Sequence, residues 1–168
     1  TASMTAARLN SLLSQRITRR CNLAGISSYG AYVPRYRLGA ESAGWESSNQ
    51  RSVANFDEDS VSMAVAAGID CLNGQDRDII DGLLFATTTP PYAEKQCASI
   101  IATALDLRRD IFTADITDVL RAGTTALKSA LDSIVAGSAK NVLVIASDSR
   151  QGAPKGEAER NSGDGAAA

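Results

Sequence analysis

The sequence predicts an α/β protein in which strands and helices alternate as βαβαβαβ, with helices on both faces of one sheet. Two runs of strand length, DIIDGLLFATTT and NVLVIASDS, are almost wholly apolar, as strands buried on both faces must be. The stretches between the strands place apolar residues at helical spacing. Strands and helices in that order imply parallel crossovers, which put helices on both sides of the sheet.

The elements follow in order. CNLAGISSYGAYVP, residues 21–34, reads as a strand stopped by Pro34, and ESAGWESSNQRSVAN as a polar connection. DEDSVSMAVAAGIDCLNG has acids in its first turn, Val61, Ala64, Val65, Ile69 and Leu72 at helical spacing, and Gly74 as its stop. DIIDGLLFATTT is a strand ending at Pro90 and Pro91. EKQCASIIATALDL is a helix with Cys97, Ile100, Ile101 and Leu105 inward. DIFTADIT is the next strand, DVLRAGTTALKSALDSIVAGS a long helix closed by Gly137, and NVLVIASDS the fourth strand. NSGDGAAA turns at glycine into a further strand that stops after three alanines, so the domain, residues 21–168, is expected to be cut within its last strand. Residues 1–20 read as an N-terminal extension, with Thr1–Ser3 ahead of a natural start at Met4. Its stripe of Leu9, Leu12, Leu13 and Ile17 carries Arg8, Arg16, Arg19 and Arg20 and no acid. An organellar presequence or a membrane-surface helix has that character; a short helical extension packing on the domain is the plainer expectation.

The composition excludes several classes. With 168 residues and a net charge of −2, the chain lacks the basic footprint of a nucleic-acid binder, so no nucleic-acid partner is expected. No apolar run reaches the ~20 residues of a membrane span, so no membrane partner is expected either. The three cysteines are scattered without a CxxC, which reads as reduced thiols in the cytoplasm. There is no histidine, so the chain alone can build neither a Ser–His or Cys–His pair nor a His-containing zinc site, and no metal or other cofactor is expected.

Ligands of such sheets sit beyond the carboxyl ends of the strands, where three polar ends fall: Thr87–Thr89, Thr117–Asp118 and Ser147–Ser149. Thr88 and Asp118 are the catalytic candidates by this placement. In SYGAYVPRYRL, Arg35 and Arg37 stand free to meet a phosphate or an acidic partner. The threonines of TTTPPYAEK can hold a ligand, or simply satisfy backbone before the Pro-Pro stop. The turn Leu120–Thr124 opens the long helix, where a nucleophile would gain from the helix N-terminus; Leu120 has no such chemistry and can only pack. GAPKGEAERNSGDG, with Gly152 and Lys155, fits a ligand-edge loop or a plain solvated one.

The ordered set GISSYGAYVPRYRL, DEDSVSMAVAA, PPYAEK, RAGTTAL, ASDSRQGAP and GDGAAA resembles the N-terminal half of the thiolase superfamily, nearest to 3-hydroxy-3-methylglutaryl-CoA synthases of archaeal and bacterial type. The resemblance implies a five-layered fold of two similar halves, a tight dimer through one strand of each sheet, and acyl-CoA substrates. It implies contacts to CoA from Arg35, Arg37, Gly123, Thr124, Gly152 and Lys155. The family's acylated cysteine falls on Leu120 and its general acid/base glutamate on Thr88; its histidine lies beyond Ala168. Two expectations follow. One is an enzyme of changed chemistry, resembling thiolase-like aldolases that cleave CoA esters by retro-aldol reaction and partner a zinc-ribbon/OB-fold protein. The other is a non-catalytic subunit with a pseudo-active site, scaffolding an active thiolase-fold partner. On either reading the isolated chain is expected to be inactive.

Overall fold

The structure, a computed structural model, describes residues 24–42, 44–45 and 48–168; the Leu9–Ile17 stripe and Cys21 lie outside the described residues. The order is β1 (Ala31–Tyr32), β2 (Tyr36–Leu38), β3 (Arg51–Val53), α1 (Ser60–Cys71), β4 (Gly82–Ala86), α2 (Cys97–Ala104), β5 (Phe112–Ile116), α3 (Ala122–Ala136), β6 (Val142–Asp148), α4 (Glu157–Asn161) and β7 (Gly165–Ala167). The main sheet runs β1-β7-β6-β4-β5, and β2 and β3 form a separate hairpin.

β4 pairs in parallel with β5 and β6, while β7 is antiparallel to both β6 and β1. Two antiparallel pairings in succession leave β1 running the same way as β6. The four strands foreseen from the sequence therefore share one direction, and β7, the strand foreseen from GDGAAA, is wedged among them the other way. The connection from β6 to β7 holds the five-residue α4, and β7 returns beside β6 in the opposite direction. The first strand is also shorter than the expected 21–34, because its only ladder partner is the three-residue β7. The expected polar connection contains β3, and strands of three residues are too short to show a period-2 pattern.

Alternation along the central strands separates two core layers. Leu83 and Phe85 of β4, with Leu143 and Ile145 of β6, face α1 and α2. Leu84 and Ala86, with Val142, Val144 and Ala146, face α3 through Ala122, Ala126 and Ala130. Helices thus cover both faces, as expected. The acids of DEDS lie ahead of α1 and not in its first turn: Asp59 is the N-cap, its carboxylate accepting from Ser62 N while the Ser62 hydroxyl closes the box. Ile69, counted among the apolar positions of that helix, is 50% exposed. Cys97, Ile101 and Leu105 are fully buried, and Gly137 caps α3 at φ +80°, both as expected.

Asp81 fastens the amino edge of the sheet. Its Oδ2 accepts from Lys140 N (2.7 Å) and Asn141 N (3.2 Å), and Arg108 lies 3.3 Å from Oδ1. The two backbone donors, then Arg108, hold this carboxyl below its ordinary range. A folded-state pKa below the unfolded one gives stability that is present above the unfolded value and lost as pH falls through the folded one. Thermal melts between about pH 5 and pH 2 should therefore fall more steeply for the native protein than for Asp81→Asn. Parallel curves would show that Asp81 does not carry this dependence.

Candidate functional site at the carboxyl ends of the strands

Ala86, Ile116 and Ala146 lie in one register row across β5, β4 and β6. Two residues further on, at the carboxyl edge, stand Thr88, Asp118 and Asp148. Asp148 is the hub. Its Oδ1 accepts from Thr88 N (2.6 Å), Thr87 Oγ1 (3.0 Å), Thr88 Oγ1 (3.0 Å) and Thr89 Oγ1 (3.1 Å). The three hydroxyls and the amide crowd one carboxylate oxygen, which has room for about two donors at a time, so they share it. Thr87 Oγ1 in turn accepts from Thr89 N, and Thr89 Oγ1 from Ser149 N. The threonine run and the end of β6 are thus one network.

Asp118 is exposed and left-handed (φ +62°), with Thr117 Oγ1 donating to it at 3.1 Å. Leu120 is 80% exposed in the turn before α3. That helix has no side-chain cap, and the Thr124 hydroxyl donates back to Arg121 O, so its first N–H groups receive no side chain. Gly123 and Thr124 line an apolar groove of about 380 Å³ with Ile26, Tyr29, Leu127 and Leu131; Thr88, Asp118 and Asp148 do not line it. Cys97 offers no substitute nucleophile: its thiol is fully buried, and burial, then Asp115, pushes its pKa up. Asp115 itself serves α2, accepting from Cys97 N and Ala98 N.

The remaining candidates meet on one rim. Arg35 and Arg37 are exposed at the start of the β2–β3 hairpin, with Arg37 donating to Pro34 O and Tyr36 O. Lys155 (φ +62°) donates its N–H to Glu159 Oε2, and a Cβ on Gly152 would stand 2.4 Å from Glu159 N. The hairpin is tied to this loop by Arg51 Nη1 donating to Glu159 O (2.8 Å) and Ser52 Oγ to Asp164 O (2.6 Å). Asp164, 6% exposed, accepts from Ala54 N and Arg150 N. The structure therefore gathers Arg35, Arg37, Gly152 and Lys155 on two joined elements. Sequence reasoning singled out neither Asp148 nor Asp164; the available signal was an acid closing an otherwise apolar strand. Among the described residues no cluster of His, Cys, Asp and Glu is placed to hold a metal ion, and no helix is long and apolar enough to cross a membrane.

This architecture is the thiolase fold. A 3-oxoacyl-(acyl carrier protein) synthase III from Thermus thermophilus superposes with TM-score 0.74 at 24% identity, over 86% of this chain and 50% of that one. A hydroxymethylglutaryl-CoA synthase complexed with CoA superposes with TM-score 0.76 at 24% identity, over 85% and 40%. In sequence the chain is 35% identical over 152 residues to the hydroxymethylglutaryl-CoA synthase of Thermococcus onnurineus, covering 86% of this chain and 43% of that one. With that of Methanocella arvoryzae the identity is 32% over 157 residues, 86% and 45%. No protein-family model matches. The chain has the thiolase fold and is similar to the N-terminal half of hydroxymethylglutaryl-CoA synthases, spanning less than half the length of these curated relatives.

Proposed function

We propose that this chain supplies the acyl-CoA half-site of a thiolase-fold enzyme that splits a C–C bond in a β-hydroxyacyl-CoA ester without an acyl-cysteine. The carrying observation is Leu120, exposed in the turn before α3 where the resemblance puts the nucleophile, while Cys71 and Cys97 are buried. Retro-aldol cleavage needs no covalent acyl group. The β-hydroxyl loses its proton, the O–H electrons form a carbonyl, and the Cα–Cβ bond breaks. Its electrons pass to the thioester enolate, which is then protonated at Cα. The uncapped N–H groups of α3 favour the developing negative charge. Arg35, Arg37 and Lys155 suit the phosphates of CoA, and Gly123, Thr124 and Gly152 its arm. The acid/base groups are assigned to the other half of a thiolase fold. A dimer through the open edge of β5, or a complex with a zinc-ribbon/OB-fold chain, completes the proposal.

The test is incubation of the full natural polypeptide, with any co-purifying chain, across a panel of β-hydroxyacyl-CoA esters. A shorter acyl-CoA, a carbonyl product and no acyl adduct by intact mass are expected. A covalent acyl-enzyme, or no cleavage across the panel, overturns this reading. The absence of an accessible cysteine among the described residues also favours a second one, a non-catalytic subunit. That reading predicts CoA-ester binding without turnover, in a stable complex with a thiolase-fold chain that carries the cysteine.

A further inference from the structure

The apolar groove of about 380 Å³ touches both helix layers: Cys71 and Leu72 line it from the α1 side, Leu127 and Ala130 from α3. Those layers cover opposite faces of the sheet, so the groove passes through the plane of the sheet itself. Within that plane it runs between residues 25–29 and β6, with Val142 and Val144 along it and Ala167 and Ala168 at one end. β7 holds β1 and β6 one strand apart, about 10 Å at twice the ladder spacing, and its ladder with β6 stops at Ala146. Gly30 and Ala168 exchange both backbone bonds (2.8 and 2.9 Å), which fixes the alternation. Ala168 faces β1, Ala167 faces β6, and every second residue repeats the direction. Ser28 and Val144 therefore turn their N–H and C=O groups toward the line of β7, and among the described residues neither meets a backbone partner there.

We infer that this groove is the berth of a strand: the residues following Ala168 in the full natural polypeptide carry β7 on, in the same register, between residues 25–29 and β6. Ala168 already lies in line with the groove, so the first of them falls between Tyr29 and Val144 and the second between Ser28 and Leu143. Ala167 stands opposite Ala146, so the third residue past Ala168 is level with Val142, the start of β6. Helices cover both faces of such a strand, so these residues should be apolar without alternation, as β4 is. The assignment makes the groove part of the sheet and not a ligand pocket, and makes residues 25–29 an edge strand. It does not depend on the acyl-CoA reading, and either can fail without the other.

Two measurements on the full natural polypeptide test this. In amide hydrogen exchange, Ser28 and Val144 should be protected to within about tenfold of Leu143 and Ile145, whose amides face β4. For the second, Tyr29→Cys is combined with a cysteine at the first residue after Ala168. The two positions form a non-hydrogen-bonded cross-strand pair with Cα atoms ~4.5 Å apart, close enough for a disulfide. Mild oxidation should join them within one chain, as identified by peptide mass. Fast exchange at Ser28 and Val144 overturns the inference, since no strand then pairs with those amides. A disulfide that joins two chains overturns it as well, and seats a second copy's strand in the groove. Protection retained in the double variant with no disulfide also overturns it, and assigns the groove to another segment.

Discussion

Asp148→Ala should lower stability by about 3 kcal/mol, a fall of roughly 10 °C in melting temperature for a chain of this size. The change removes the acceptor that three hydroxyls and the Thr88 N–H now share. The Thr87 side chain is 1% exposed, so its hydroxyl has little water to turn to, and a buried donor left unmade costs ~1–3 kcal/mol. The loss should concentrate at the carboxyl edge: hydrogen exchange at the Thr88 and Ser149 amides should accelerate before exchange in the middle of β4. Asp118→Ala is the contrast, since among the described residues that exposed side chain bonds only its neighbour Thr117, and it should change stability by less than ~0.5 kcal/mol. Equal effects from the two substitutions would show that the Asp148 network does not hold β4 to β6.

Gly30→Ala should cost about 3 kcal/mol or more. A Cβ there would stand 2.3 Å from Cys71 N and 2.5 Å from Ala67 O, backbone atoms of α1 that cannot move without opening the helix. The same residue exchanges two backbone hydrogen bonds with Ala168 (2.8 and 2.9 Å), so backing away from α1 would strip those as well. Gly25 has nothing within 4 Å of its Cβ position, and Gly25→Ala should be close to neutral. Guanidinium unfolding of the two variants measures the difference. A Gly30→Ala midpoint within error of the native one would mean that the 24–32 segment does not pack closely on α1.

The central layers were legible because they repeat simple signals. β4 and most of β6 are apolar, α2 buries Cys97, Ile101 and Leu105 as foreseen, and α3 ends at the foreseen Gly137. What stayed hidden were features made by distant partners. The β2–β3 hairpin and β7 are three residues each, and their identity as strands depends on pairing, not on local pattern. α4 was read as loop because its five residues, four of them polar, have no apolar face to show. At the site, Thr88 was found by its place at a strand end. Asp148 was passed over because its role exists only once β4 and β6 lie side by side, sixty positions apart in the chain. Asp164 was missed for the same reason: its partners Ala54 and Arg150 come from opposite ends of the sequence.

The placement of β7 sets a timetable for the ribosome. β4, α2, β5, α3 and β6 are consecutive, pair among themselves and can assemble as soon as β6 emerges. β1 precedes all of these, yet among the described residues its ladder partner is β7, so Ala31 has to wait for Ala167. Closing so long a loop is entropically slow, and contacts of high sequence separation tend to form late. A nascent chain stalled anywhere before residue 165 should therefore carry a folded centre with its β1 segment undocked, accessible to chaperones and proteases until β7 arrives.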